Sequence, residues 1–305
     1  MKYVSDKAIE SLNISSVKYV EWAEDVLKHK GECLLPPKTS LKMEGNVFYN
    51  FMPCIMPFLN RAGIKTVNRY PENTPSLNSN LLLYDLNNGI LKGVFDANYI
   101  TTVRTGAVAV HSIKCFAKKN FQTIACIGLG NVMRATIKIL AEYFKEMQFT
   151  VKLLRYKTSC ENFIAFNKYD NIRYYVANDI KDLLYGGGVD VIISGVTYQE
   201  NDFAEVDWYP PGCLIIPIHT RGFMNCDSVF DKIFVDDYDH VRNFKYFDKF
   251  KWCKETSEYV LNKCVGRESD NDRILCYNIG IALQDVYFAE KFLQEIDKHE
   301  KNRSG

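Results

Sequence analysis

The sequence predicts an α/β fold in which a doubly wound parallel sheet is joined to a smaller α+β part. Three observations predict it. From Gln122 onward, apolar strand-like runs alternate with helical stretches. The first of those runs, Gln122 to Ile127, ends in a glycine turn, Gly128-Leu129-Gly130, that opens an amphipathic helix from Asn131. Residues 45–95, by contrast, look like short strands joined by tight turns, the pattern of an antiparallel sheet.

In chain order, residues 7–30 carry apolar side chains at helical spacing (Ile14, Val17, Val20, Trp22, Val26, Leu27), and Pro36-Pro37 ends the helical possibility. The runs NVFYNFMP, GIKTVNRYP and LLLYDLNNGILKGVFD follow. In the last of these, Asn87-Asn88-Gly89 between two apolar runs is a strong hairpin signal. Next comes Tyr99 to Ala109, with Arg104-Thr105-Gly106, and then the strand and glycine turn. The helix after the turn extends to about Glu146. A second strand spans Phe149 to Leu154, and IRYYVA, VDVIISGV, CLIIPI and KIFVDD supply further strands of a parallel sheet. Asp270 to Lys301 is expected as one long helix with a broad apolar face, leaving the parallel-sheet domain to pack on the first one. The expected domains are therefore 1–118 with 270–305, and 119–269.

A chain of 305 residues with 47% hydrophobic and 25% charged residues has ample core for one large or two ordinary domains, which excludes disorder. A net charge of +1 gives no bulk attraction for nucleic acid or an anionic membrane. No apolar run reaches membrane-spanning length, and the polar N-terminus lacks a signal-peptide core, so a cytoplasmic protein is expected. Ten cysteines without a C-x-x-C pair fit reduced core thiols, and five dispersed histidines give no metal-ligand spacing.

Strand, glycine turn and helix in that order hold a dinucleotide pyrophosphate, since backbone N–H groups and the helix dipole both point at the phosphates. The third small residue of G-x-G-x-x-G is missing, because Met133 stands there.

The ordered segments Leu35-Pro36-Pro37-Lys38, Met52-Pro53, Gly63-Ile64-Lys65, the 81–95 hairpin, Thr101 to Ala107, the Gly128 turn and Asp190 to Thr197 resemble the ornithine cyclodeaminase and mu-crystallin family over nearly the whole chain. The resemblance implies a Rossmann-type nicotinamide-binding domain plus an α+β substrate and dimerisation domain completed by the C-terminal helix. It implies that Lys38, Lys65 and Arg104 converge on a substrate α-carboxylate, where paired cations fix the α-carbon for hydride transfer. Arginine is common in the family where Lys38 stands, which removes a bidentate grip at that place. Lys65, lowered in pKa by Arg104, is expected to exchange a proton with the imine or amine nitrogen. For the cofactor, the expected contacts are Thr105, Gly106, Gly128, Gly130, Asn131, Val132, Val196 and Thr197.

Two features bear on the reaction. The second strand ends in Arg155-Tyr156-Lys157 with no acid before Glu161, which favours NADP(H) over NAD(H): two cations suit a 2′-phosphate and the aromatic suits adenine stacking. Cyclodeaminases of the family carry an aspartate after the fifth strand, whereas Ile216 to Gly222 here contains none and has His219-Thr220-Arg221 instead. His219 is either a pocket acid/base or a plain strand-end histidine. The expected activity is NAD(P)H-dependent reduction of a cyclic ketimine or imino acid, or the related amino-acid dehydrogenation. An ornithine cyclodeaminase and a crystallin-like nicotinamide-binding protein are the alternatives. The expected partners are a small amino- or imino-acid substrate and a second copy of the chain.

Overall fold

The computed structural model describes residues 1–185, 188–196, 199–219 and 221–304. The chain divides into two compact units, Met1–Arg104 with Ile281–Gly305, and Thr105–Gly280. These bounds differ from the expected ones at both junctions. The first falls inside the helix Asn98–Phe116, an element the sequence reading did not assign. That helix is buried along much of its length, so its apolar residues show no one-sided period, and its β-branched run Ile100 to Val103 is a poor helix signal.

The first unit is a six-stranded sheet in the order β1-β6-β5-β4-β3-β2, with β1 Lys2–Val4, β2 Thr39–Lys42, β3 Phe48–Met56, β4 Arg61–Arg69, β5 Leu77–Asp85 and β6 Leu91–Asp96. Strands β2 to β6 form an antiparallel meander, and β1 joins β6 in parallel. The expected hairpin is β5–β6, and its turn residue Gly89 has φ +69°. Alternation sorts the two faces. Met52, Cys54, Met56, Gly63, Lys65, Leu81, Leu83 and Phe95 are buried, and the C-terminal helix Ala282–Ser304 packs on β3, β4 and β5. Gly63 permits that approach, because a Cβ there would lie 2.8 Å from both methyls of Val286. The opposite face carries Pro53, Ile64, Leu82 and Val94, which the pairing register aligns across four neighbouring strands, each half-buried. The helical stretch expected over 7–30 is two helices, Asp6–Glu10 and Ser16–Lys28, separated by Asn13 at φ +49° and restarted by the Ser15 cap. Tyr19 and Trp22 of the second pack against Phe288 and Phe292.

The second unit is an eight-stranded, all-parallel Rossmann-type sheet in the order β13-β12-β14-β11-β10-β7-β8-β9. Its strands are β7 Thr123–Ile127, β8 Phe149–Leu154, β9 Ile172–Ala177, β10 Val191–Ser194, β11 Leu214–Pro217, β12 Lys232–Val235, β13 Cys253–Glu255 and β14 Ile274–Tyr277. Strand β14 corrects the reading of 270–301 as one helix: Ile274–Tyr277 inserts between β11 and β12, and the helix begins only at Ala282. All four residues of β14 are buried, and a short uninterrupted apolar run of that kind has no period that distinguishes strand from helix. The chain order reverses between β7 and β10, which makes their carboxyl ends the switch point where such sheets bind ligands.

Candidate active site

Lys65 lies on the covered face of β4, opposite Met52 and Leu81, and is 1% exposed. An ammonium in that apolar setting needs a counter-ion. Asp285, in the first turn of the C-terminal helix and 0% exposed, supplies it: Lys65 Nζ is 2.7 Å from Asp285 Oδ2. The other oxygen, Oδ1, accepts a 2.8 Å hydrogen bond from Arg104 Nε. Thr101 Oγ1, one turn earlier on the same helix as Arg104, is 3.5 Å from Lys65 Nζ. Arg104 is engaged through Nε alone, which leaves Nη1 and Nη2, the fork that grips carboxylates bidentately, without a protein partner among the described residues. Lys38 is half-buried just before β2 and close enough for its charge to act on Lys65.

The structure therefore brings Lys65 and Arg104 together on one carboxylate, with Lys38 near enough for its charge to act on Lys65. Two buried cations share one buried anion, so one positive charge stays uncompensated in a low-dielectric setting. A second carboxylate is the group that would balance it. The Lys65 amine is pushed down to about 8, chiefly by burial; Asp285 opposes the shift, and Arg104 and Lys38 add to it. The expected direction holds, but burial outweighs Arg104 as its cause.

In the second unit, β7 ends at Ile127, Gly128 adopts φ +82°, and Gly130 is the N-cap of the helix Asn131–Tyr143. A Cβ on Gly128 would meet the Gly195 and Val196 backbone at 2.9 Å. A Cβ on Gly130 would meet nothing within 4 Å, and no side chain among the described residues caps the helix. Asn131 is exposed and Val132 half-buried at this open N-terminus. Its first-turn N–H groups and the space above Gly130 fit a pyrophosphate. Met133, at the place of the missing third glycine, is 1% exposed and points into the core. Close packing comes instead from Gly106, whose Cβ would stand 2.9 Å from Thr136 N on the neighbouring helix, so this residue has a packing reason of its own. Thr105 beside it is buried. Val196 follows β10 against the core, and Thr197 lies outside the described residues.

At the end of β8, Arg155 pairs with Glu161 at 2.8 Å and with Asn178 at 3.3 Å. Tyr156 is 69% exposed, with the Lys157 ammonium 5.5 Å from its ring centroid. His219 follows β11 and shares a 2.6 Å hydrogen bond through Nε2 with Ser194 Oγ at the end of β10. Burial pushes His219 down to about 4, so it is neutral near pH 7 and has no proton to spare. Arg221 is exposed. The first acid after this segment, Asp227, is 1% exposed and accepts a 2.7 Å hydrogen bond from Tyr277. Asp190 acts structurally. Its Oδ2 accepts from Gln122 N and Thr123 N, and Lys118 pairs with Oδ1, which fixes the start of β7.

Three residues escaped the sequence reading: Asp285, Thr101 and Ser194. Asp285 had a usable signal, an acid inside the apolar run Ile281-Ala282-Leu283-Gln284-Asp285-Val286-Tyr287-Phe288-Ala289. Among the described residues there is no group of three or more potential metal ligands, and no helix is long and apolar enough to cross a membrane.

The model of the ornithine cyclodeaminase/mu-crystallin family matches residues 2–300. Nodulation efficiency protein NfeD of Rhizobium meliloti is 24% identical, over 94% of this chain and 92% of that one. N-((2S)-2-amino-2-carboxyethyl)-L-glutamate dehydrogenase of Staphylococcus aureus is 24% identical, over 77% and 74% respectively. Among solved structures, Thermococcus litoralis Δ1-pyrroline-2-carboxylate reductase in complex with NADH and L-proline superposes with a TM-score of 0.88 at 20% identity, covering 98% of each chain.

Proposed function

This chain belongs to the ornithine cyclodeaminase/mu-crystallin family, and we propose that it is a nicotinamide-dependent oxidoreductase that reduces the C=N bond of a small cyclic ketimine or imino acid, or in the reverse sense oxidises an amino acid. The observation that carries the reading is the buried Lys65–Asp285–Arg104 cluster with its one unbalanced positive charge. Such a cluster suits a ligand that brings a single carboxylate next to a reacting centre. The Gly128–Gly130 turn would hold NAD(P)H, which when bound would supply the hydride. The free fork of Arg104 grips the substrate carboxylate, and Lys38 adds a second, point-like cation. Lys65, with a pKa of about 8, carries a proton at neutral pH and can give it to the imine nitrogen as the α-carbon takes the hydride. With a hydride at the α-carbon and the Lys65 proton at nitrogen, one C=N bond would become CH–NH.

Two finer points belong to the same proposal. NADP(H) is the preferred cofactor, supported by Arg155, Tyr156 and Lys157 at the end of β8 and by an Arg155–Glu161 pair exposed enough to exchange partners. The working form is a homodimer, supported by the half-exposed row Pro53, Ile64, Leu82 and Val94, an apolar strip across four strands that a second copy would cover. The reading places the protein in the cytoplasm, where NADPH and thiols stay reduced; all ten cysteines are free.

The test is NADPH oxidation by the purified protein against five- and six-membered cyclic imino acids, and against 2-oxo acids with ammonia. Turnover with one of them is expected, and no turnover with any overturns the reading. Proline formed from ornithine without net cofactor change would assign a cyclodeaminase instead.

A further inference from the structure

Asp285 is the least expected member of the cluster. The C-terminal helix reaches it only after the chain has completed the second unit, 181 residues beyond Arg104. Its carboxylate is fully buried, and each oxygen meets a different cation. A buried carboxylate that served stability alone would do as well with one cation, or with none and an apolar residue in its place. Here it sits between two cations that would otherwise repel each other. We propose that Asp285 is a positioning residue of this site: its carboxylate holds Lys65 and Arg104 in one arrangement and balances half their charge, so that the Arg104 fork faces the substrate while Lys65 keeps its proton to give. This inference rests on the reductase reading.

The surroundings of Lys65 set the sign of the test. Asp285 on the C-terminal helix favours the ammonium; Arg104 on its helix and Lys38 before β2 oppose it, as does burial. Cys54 on β3 is a further titratable neighbour of Asp285, and its hydrogen bond with Cys33, together with burial, holds its thiol well above the usual thiol range. It therefore stays neutral and contributes no charge. Taking away the Asp285 charge leaves only influences that lower the Lys65 pKa.

The experiment is the pH profile of kcat/KM for imine reduction by wild type, Asp285→Asn and Asp285→Glu, with Lys65→Met as control. Wild type should lose activity as pH rises through about 8, and Lys65→Met should lack that limb. Asp285→Asn should move the limb toward acid by about one pH unit or more, the usual effect of losing a close opposite charge. Asp285→Glu should keep the limb near its wild-type position at a reduced kcat. NADPH affinity, read by fluorescence, should stay within about twofold of wild type in both, as neither touches the nucleotide turn. An unmoved limb in Asp285→Asn overturns the positioning role but leaves the reductase reading standing. Wild type without imine turnover overturns both. Should Asp285→Asn not fold, Asp285→Glu decides: a limb displaced toward acid although the charge is kept refutes the inference, and an unshifted limb with lowered kcat supports it.

Discussion

Replacing Arg104 by methionine tests the carboxylate clamp most directly. Methionine keeps the bulk of the stem in a residue that is 6% exposed, so packing changes little while the guanidinium goes. Two losses follow. The first is the fork: Nη1 and Nη2 have no protein partner among the described residues, so they are free for two charge-assisted bonds to a substrate carboxylate. Bonds to charged groups contribute about 1.5–3 kcal/mol each, and Lys65 and Lys38 retain part of the grip. A net loss of about 3 kcal/mol, or roughly two orders of magnitude in kcat/KM, is therefore expected. The second is electrostatic. Arg104 is one of the groups that lower the Lys65 pKa, so its removal should move the alkaline limb of kcat/KM above the wild-type value of about 8. That shift is opposite in direction to the one expected for Asp285→Asn. Arg104→Lys should leave the limb near its wild-type place yet recover little of the rate, because an ammonium cannot present two parallel donors. Initial rates of NADPH oxidation across pH, with cofactor affinity and a thermal melt as controls for folding, supply the data. If Arg104→Met keeps kcat/KM within about fivefold of wild type, or moves the limb toward acid, the clamp is wrongly assigned.

Other consequences can be checked separately. NADPH should bind about tenfold tighter than NADH, a difference of about 1.4 kcal/mol, and Arg155→Ala should erase the preference; equal affinities in wild type would refute the cofactor proposal. Ile64→Asp places a charge in the middle of the Pro53–Ile64–Leu82–Val94 row and should convert a dimer into a monomer by light scattering; a wild-type monomer at micromolar concentration would rule the dimer out. Asp227 is pushed up from 3.8 to about 7, mainly by burial. The native state then keeps a proton that the unfolded chain gives up near pH 4, so stability should fall as pH rises from about 4 to about 7 and then level off. Asp227→Asn can still accept from the Tyr277 hydroxyl and carries no charge, so its melting temperature relative to wild type should climb across that interval; a constant difference at pH 5 and pH 8 would contradict the assignment.

Much of the second unit was legible because its signals are local. The run Phe149–Leu154 is a strand with the expected ends, and the turn after β7 has the conformation that only glycine adopts without strain at Gly128. The hairpin of β5 and β6 was legible for the same reason, through Asn87-Asn88-Gly89. What escaped was structure with no period to detect. Ile274–Tyr277 is buried on both faces, and the helix Asn98–Phe116 is buried over much of its circumference with polar residues such as Arg104, Thr105, His111 and Ser112 inside, so the period is lost in each. The domain bounds moved for that reason: the helix continues past Arg104 to pack Gly106 on its neighbour, and β14 belongs to the parallel sheet.

The candidate site shows a different limit. Lys65 and Arg104 stand out in the sequence as cations near family motifs, but a list of cations says nothing of how they coexist in a closed space. An ammonium and a guanidinium in apolar surroundings repel, and each loses hydration on burial. The fold tolerates them only because Asp285 arrives from the far end of the chain, on a helix whose approach depends on Gly63. The same carboxylate that makes the pair stable also leaves it one charge short of neutral. A fully balanced cluster, with a second acid in place of the open fork, would be more stable and would have no affinity for a carboxylate. An isolated Lys65 at the same depth would lose its proton and with it the capacity to protonate an imine. The arrangement observed lies between those extremes: enough anion to bury two cations, and one positive charge left over, which the proposed reading assigns to a substrate carboxylate.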